Sequence, residues 1–298
     1  MVKNPFVNNR TRRYIFLCLG WLFFASQTMG MNRQIAITID DLPFVGDEPV
    51  FHLNKIIDSI QQYHIPVTGF VIGQSVRPNS LPVLERFRAV GLTLGNHTYS
   101  HADLNRWSSE DYIADIDKTD EILRPLLSQP KYFRYPYLAM SQGEKKEAVL
   151  HHLEQQGYHI APITIDSKDF VFNQQLYSVP EVDRRNFLNE LKPVYLDYLL
   201  IQTQDAETRN LFNHQPDKAQ ILLIHANLLN AYVLEDIIKL YQHLGYKFIS
   251  LQDALGTFNT SPSSEDLQQS KIKQSTAQQT KSELSSQDVK IDKFVEWD

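Results

Sequence analysis

The sequence predicts an α/β domain built on a parallel sheet, and three observations predict it. Between residues 33 and 255, short β-branched or apolar runs alternate with helical patterns. The helical patterns stop at glycine or proline, and the reactive side chains fall just past the strands. Six or seven repeats of strand then helix leave a barrel and a doubly wound sheet both open. At 298 residues and 42% hydrophobic, the chain is long enough to bury a sizeable core.

The elements follow in order. "IAITI" (35–39) is strand-like, and "NKIIDSIQQYH" (54–64) has helical periodicity running to Pro66. "VTGFVI" (67–72) is a second strand, and a helix over about 81–90 ends at Gly91. "LTL" (92–94) is a third strand. Ser108 reads as an N-cap, with Asp111 in the capping-box position, for the helix "SEDYIADIDKTDEILRPLL". "KYFRY" (131–135), a helix to Gly157 and "HIAPITID" (159–166) come next. A polar helical stretch over about 178–213 precedes "ILLIH" (221–225), a helix over 231–244 closed by Gly245, and "KFISL" (247–251). The segment 171–219 is longer than a simple loop and reads either as a lid or as a packed helical pair.

The ends read differently. Lys3, Arg10, Arg12 and Arg13 precede the apolar run "YIFLCLGWLFFA" (14–25), which is too short to cross a hydrocarbon core of about 30 Å. Residues 1–30 are therefore expected to be a secretory signal cut between 25 and 31, with an uncleaved anchor as the alternative. Cleavage removes Cys18, the single cysteine, so a metal site in the mature chain must use His and carboxylates. The protein is then exported, to the periplasm or beyond, with no stable membrane span. Residues 257–298, rich in Ser, Gln and Thr, read as a low-complexity tail with few apolar residues to repay ordering. A formal charge of −6 argues against a nucleic-acid partner.

Chemistry gathers at the C-terminal ends of parallel strands, where the βα loops converge. Asp40 and Asp41 end the first strand, and His97 and His101 follow the third. Arg134 lies on the next, Asp166 and Asp169 close "ITIDSKD", and His225 ends "ILLIH". Each alone has a bland reading as turn, cap or satisfied core residue; together, at one end of successive strands, they indicate a site. Thr98 stands where a zincin helix carries its glutamate base, so the base must come from elsewhere. Two His nitrogens and one carboxylate leave a coordination position open, the arrangement of catalytic zinc. Because successive strand side chains point in different directions, one aspartate can ligate while its neighbour acts as base. This is equipment for metal-assisted hydrolysis of an amide or ester.

"TIDDLP" (38–43), "HTYSH" (97–101), "RYPY" (134–137), "DSKDF" (166–170) and "LIH" (223–225) resemble, in order, the five motifs of the polysaccharide deacetylase family, carbohydrate esterase family 4 with its NodB-like domain. The resemblance covers about residues 33–255, and the flanking phrases resemble an exported bacterial branch. It implies a distorted (β/α) barrel of seven or eight parallel strands as a single catalytic domain over 31–256, carrying the 171–219 segment as an insertion. It implies Asp40 as base, with Asp41, His97 and His101 as ligands of a divalent metal, Zn2+ by default and Co2+ or Ni2+ as alternatives. Arg134 would orient Asp40, and the backbone N–H of Tyr137 would stabilise the oxyanion. Asp169 would hold His225 as the acid. Leu223 and Phe170 would wall a pocket for the acetyl methyl. Ile39, Leu42, Phe170 and Ala226 depart from the usual Phe, Gly, Trp and Asp, and none of them is an implied ligand, base or acid.

The activity so implied is removal of N-acetyl groups from a glycan, peptidoglycan or a chitin-like oligosaccharide of the cell wall. Two alternatives stand beside it: a deacylase or C–N amide hydrolase acting on O-acetyl or non-glycan substrates, and a non-catalytic glycan-binding module. The second has no use for both a base and an acid. An amidohydrolase barrel would carry His-x-His on its first strand, where this chain has Asp40–Asp41.

Overall fold

A computed structural model describes residues 32–259. The signal assignment (1–30) and the tail beyond a 3-10 turn at Thr257–Asn259 lie outside the described residues.

Strand β1 (Gln34–Val45) shows how the sequence divides the sheet into two faces. Ile35, Ile37 and Ile39 join the main apolar core, while Ala36 joins a smaller cluster on the opposite face. Thr38 and Asp40 continue the Ala36 side, because side chains alternate along a strand. Strand β7 (Gln220–Asn227) repeats the pattern, with Leu222 and Ile224 in the main core and Ile221 in the second cluster. Leu223 and His225 follow Ile221 at the same period. The two strands pair in parallel, Thr38 opposite Leu223 and Asp40 opposite His225.

The other strands are β2 (Val67–Val71), β3 (Thr93–Asn96), β4 (Lys131–Phe133), β5 (Tyr158–Ile160), β6 (Ile165–Asp166) and β8 (Lys247–Phe248). Every pairing is parallel, in the order β5-β4-β3-β2-β1-β7-β6, with β8 joining the start of β1. The sheet curls into a distorted barrel that stays open: among the described residues β5 and β6 do not pair.

The expected single strand at 159–166 is instead two, one on each edge of that opening. Ala161 still donates its N–H to Phe133 O, and Thr164 donates to Ile221 O on the far edge. Pro162 between them has no N–H to continue either ladder, so the chain changes partner there.

Helices α1 (Pro49–Tyr63), α2 (Leu81–Ala89) and α7 (Leu228–His243) place Leu53, Leu84 and Val233 in the main core. In α3 (Ser109–Leu123), Ser108 Oγ accepts from Asp111 N–H at 3.1 Å as the expected N-cap, and the Asp111 carboxylate accepts from the Ser108 hydroxyl at 2.7 Å where a full capping box would take its backbone N–H. Helix α4 (Gly143–Gln155) packs Val149 and Leu153 with Tyr112 and Phe133. The 171–219 segment forms most of α5 (Asp169–Tyr177) and α6 (Glu181–Phe212). Leu191, Tyr195, Leu199 and Ala206 of α6 lie in the main core, so this is the packed pair and not a free lid. Helix α8 (Leu251–Gly256) completes the order. Among the described residues no helix is long and apolar enough to cross a membrane.

Gly95 on β3 is required by close approach. A Cβ there would lie 2.7 Å from Tyr132 O and 2.8 Å from the Phe70 ring. Gly95→Ala is expected to cost about 1–3 kcal/mol, the usual penalty of overpacking a filled core. Chemical denaturation measures it, and wild-type stability in the variant would show that the backbone here can yield.

Candidate active site and metal centre

The ten residues to which the resemblance gives a role converge. Asp40, Asp41, His97, His101, Tyr137, Phe170, Leu223 and His225 line one cavity of about 370 Å³ at the C-terminal ends of the strands. Arg134 and Asp169 stand behind it, against Asp40 and His225 respectively.

Neighbouring aspartates on a regular strand would face opposite ways, yet both carboxylates reach His97. Asp40 Oδ2 is 3.7 Å and Asp41 Oδ1 3.5 Å from its Nε2. The reason is an irregularity in β1: its register shifts against both neighbours here, and Asp41 has φ 64°. The alternation argument thus gives way to a bulge that turns the second carboxylate into the same cavity.

The His loop is held as tightly. Thr98 and His101 have φ 60° and 57°, conformations that cost energy for non-glycine residues and persist only under restraint. Asp115 Oδ2 supplies the restraint, accepting from the N–H groups of Tyr99 and Ser100 at 2.9 Å each and from Ser100 Oγ at 3.1 Å. Asn96 Oδ1 accepts from Thr98 N–H, while its amide donates to Ile116 O and Tyr158 Oη. His97 Nδ1 lies 2.8 Å from Arg134 O. A carbonyl only accepts, so Nδ1 carries the proton and Nε2 offers its lone pair to the cavity.

Asp41 Oδ1 has no hydrogen-bond partner, although it is buried. It faces His97 Nε2 at 3.5 Å and His101 Nε2 at 3.3 Å. Ligand atoms about 2.0–2.1 Å from a tetrahedral ion stand about 3.4 Å apart, so the set fits one. Burial pushes the Asp41 pKa up, but contact with His97 and the charges of His97, His225 and His101 bring it down to about 2. Burial and the His97 charge lower that of His101, against the pull of Asp41 and Asp40. An ionised carboxylate and a neutral imidazole are the forms a metal needs.

Arg134 is buried, with its guanidinium NH1 3.5 Å from Asp40 Oδ2. The contact is an ion pair without a formal hydrogen bond; NH2 donates instead to Thr38 Oγ1 at 3.1 Å and Pro162 O at 3.5 Å. The Phe70 ring lies 4.9 Å below the guanidinium carbon. Burial lowers the Arg134 pKa, and the Asp40 charge opposes it.

His225 Nδ1 donates to Asp169 Oδ1 at 2.6 Å. Burial works to lower the His225 pKa, but the charge and hydrogen bond of Asp169, helped by Asp41 and Asp40, push it up to about 10. Sequence reasoning did not assign the residues that fix Asp169. Asn227 Nδ2 donates to its Oδ2 at 2.9 Å, and Asn230 Nδ2 donates to the same oxygen. Asn227 also caps α7 by accepting from Asn230 N–H. The spacing of an asparagine three residues before another at a helix start is the signal that could have found them.

Tyr137 sits at the rim in a 3-10 turn with φ 56°, its ring 4.5 Å from that of His101. Phe170 is half exposed and meets His225 edge-on at 6.0 Å. Lys168, which was not singled out, joins the rim and pairs with Asp166 at 2.6 Å.

Residues 29–161 match the family model described as polysaccharide deacetylase. A chitin deacetylase of Colletotrichum lindemuthianum is 33% identical over 162 residues, 53% of this chain and 60% of the relative. A peptidoglycan-N-acetylglucosamine deacetylase of Bacillus cereus is 33% identical over 142 residues, 47% of each chain. The chain therefore spans about half to three fifths of these relatives' length. The fold is shared with a carbohydrate esterase family 4 pseudoenzyme of Bacillus anthracis, at TM-score 0.53 and 18% identity over 75% of this chain and 66% of the other. The matched stretch carries Asp40, Asp41, His97, His101, Arg134 and Tyr137, whereas Asp169, Phe170, Leu223 and His225 lie beyond it. Through residues 29–161, which hold β1 to β5, this chain is similar to the polysaccharide deacetylase family, and its fold is that of the structural relative.

Proposed function

We propose that the protein removes N-acetyl groups from a glycan, of the peptidoglycan or chitin type, by metal-assisted hydrolysis. The observation that carries this reading is the unpartnered Asp41 Oδ1 set between two Nε2 atoms, with Asp40 and the Asp169-held His225 on the same cavity. Asp41, His97 and His101 would hold the ion, Zn2+ by default with Co2+ or Ni2+ as alternatives. Such an ion supplies Lewis-acid polarisation of the acetamide carbonyl and of the attacking water.

The remaining steps belong to the chain's own groups. Asp40 takes the proton of the water, with its carboxylate held in place by Arg134. The N–H of Tyr137 donates to the developing oxyanion. His225 carries its proton at neutral pH and delivers it to the leaving amine, while Leu223 and Phe170 exclude water around the methyl. In the same reading residues 1–30 direct export to the periplasm or beyond and are removed, leaving residues 31–256 as the catalytic domain.

The pseudoenzyme on this fold makes a non-catalytic glycan-binding module the reading to test against. Incubating the protein with acetylated glycans, with and without zinc, and assaying acetate decides between them. About one divalent ion per chain and a chelator-reversible release of acetate are expected. Release from O-acetyl but not N-acetyl sugars would change the substrate, and no release by metal-loaded protein would end the hydrolase reading.

A further inference from the structure

Helix α6 carries a row of apolar side chains that no other described residue covers. Val194, Ile201 and Phe212 are 57%, 54% and 80% exposed. Spacings of seven and eleven residues return to within roughly 20° of the same direction on a helix, so the three form one line. The helix packs through a different side, with Leu191, Tyr195, Leu199 and Ala206 in the main core. A helix with one packed face carries polar residues on the other by default, so the fold alone does not explain the row.

The borders of the row are acidic. Positions three and four apart are neighbours on a helix surface, and around Val194 and Ile201 the charged residues at those positions are Glu190, Asp197 and Asp205. All three are exposed, and none has an ion-pair partner among the described residues. Arg209, nearer the end of the helix, is engaged elsewhere, its NH2 donating to Thr164 O at 2.8 Å. The row therefore suits an apolar and basic occupant. A second copy of α6 laid on it would set acid against acid, and an anionic lipid surface would be repelled.

The chain leaves the described residues beside this row. Asn210, in the last turn of α6, donates through Nδ2 to Lys218 O at 2.8 Å. Lys218 Nζ lies 3.9 Å from the centre of the Phe258 ring, and Thr257 Oγ1 accepts from Ala219 N–H at 3.0 Å. Asn259, the last described residue, thus follows a segment held at the Phe212 end of the row. Thirty positions beyond Asn259 the sequence reads "VKIDKFV" (289–295), where Val289, Ile291, Phe294 and Val295 stand with Lys290 and Lys293 against one acid, Asp292. A coil of about thirty residues spans about 30 Å, and the helix runs about 27 Å from Phe212 back to Val194. A connection that matches its span gives a tethered segment its highest effective concentration.

We propose that residues 289–295 dock on the Val194–Ile201 part of this row in the same molecule, their apolar side chains covering it and Lys290 and Lys293 meeting its acidic borders. The test is hydrogen exchange, read by mass spectrometry on the protein with residues 260–298 in place, beside light scattering over the same concentrations. Amides of 289–295 should exchange about tenfold slower than in a free peptide of that sequence, the scale of a weak contact at millimolar effective concentration. The protection should not depend on protein concentration. Ile201→Lys, at an exposed position, should remove it, and so should Phe294→Asp, which leaves α6 untouched. Lys290→Glu with Lys293→Glu should weaken it, and adding Asp197→Lys and Asp205→Lys should restore it. Free-peptide rates across 289–295, or protection undiminished in either Ile201→Lys or Phe294→Asp, would overturn the proposal. Protection that rises with concentration, together with a dimer mass, would overturn it in favour of a second copy as the occupant. No outcome depends on acetate release, so failure here leaves the deacetylase reading as it stands.

Discussion

Asp40→Asn is expected to cut acetate release by about 10² to 10⁴, the usual cost of losing a general base, while metal content stays near wild type. Asp41→Asn should do the reverse in order of cause: metal is lost first, and activity with it. The residues are neighbours of the same chemistry, so a generic loss of charge cannot separate them; their surroundings can. Asp41 Oδ1 is the atom between the two imidazoles, at 3.5 and 3.3 Å, and an amide there offers a neutral donor in place of an anionic one. Losing a partner that merely supports a ligand typically weakens metal binding roughly 10–100-fold, and losing the ligand should exceed that. Asp40 has Arg134 at 3.5 Å and lies farther from His97, at 3.7 Å, so its amide leaves the three ligand atoms in place. His225→Ala should behave like Asp40→Asn, with metal retained and turnover lost. Elemental analysis beside acetate assays reads all three. Metal loss in the Asp40 variant alone, with Asp41→Asn loaded and active, would reverse the two roles.

What made these residues visible in the sequence was their place just past successive strands. In "ILLIH" strand alternation sets Leu222 and Ile224 in the main core and Leu223 and His225 on the cavity. The same rule misled at Asp40–Asp41. A bulge is set by how β1 pairs with β2 and β7 together, and those partners lie about thirty and nearly two hundred residues away in the chain. The division of 158–166 between two edges was invisible for a similar reason: Pro162 signals an interruption, but not that the next residues will pair on the far side of the barrel.

The supports of the site were the least legible part. Asn227 and Asn230 reach Asp169 across 58 and 61 positions, and Thr38 meets Arg134 across 96. Asparagine and threonine have too many local uses for a long-range role to stand out. Asp115 carries no mark either; it reads as one of several acids on a helix until its backbone donors are seen.

Asp169→Asn is expected to be the most destabilising of the site variants and to disarm His225 at the same time. Asp169 is fully buried and accepts from His225 N–H at 2.7 Å, His225 Nδ1 at 2.6 Å and the amides of Asn227 and Asn230. An asparagine turns one acceptor oxygen into an N–H2 group that must face a donor. Removing one partner of a buried pair costs about 3–5 kcal/mol, and either orientation of the amide sets its N–H2 against a donor: His225 Nδ1 on one side, His225 N–H and the Asn227 and Asn230 amides on the other. The pH dependence separates this from simple misfolding. In the metal-free wild type, burial lowers the His225 pKa, yet the Asp169 charge and hydrogen bond carry it from 6.5 to about 10. A raised folded-state pKa contributes stability that is fully present below 6.5 and is lost as pH rises toward about 10. The stability gap between wild type and Asp169→Asn should therefore be widest near pH 6 and shrink toward pH 10, without closing, because the stranded donors remain. With the charge gone, burial is opposed only by the Asp41 and Asp40 charges, so the His225 pKa should fall and the imidazole should give up its proton at lower pH than in the wild type. Histidine ring NMR of the metal-free proteins reads that shift, and denaturation at the two pH values reads the gap. A His225 resonance that titrates alike in both proteins would mean that Asp169 only packs against the imidazole and does not hold its proton.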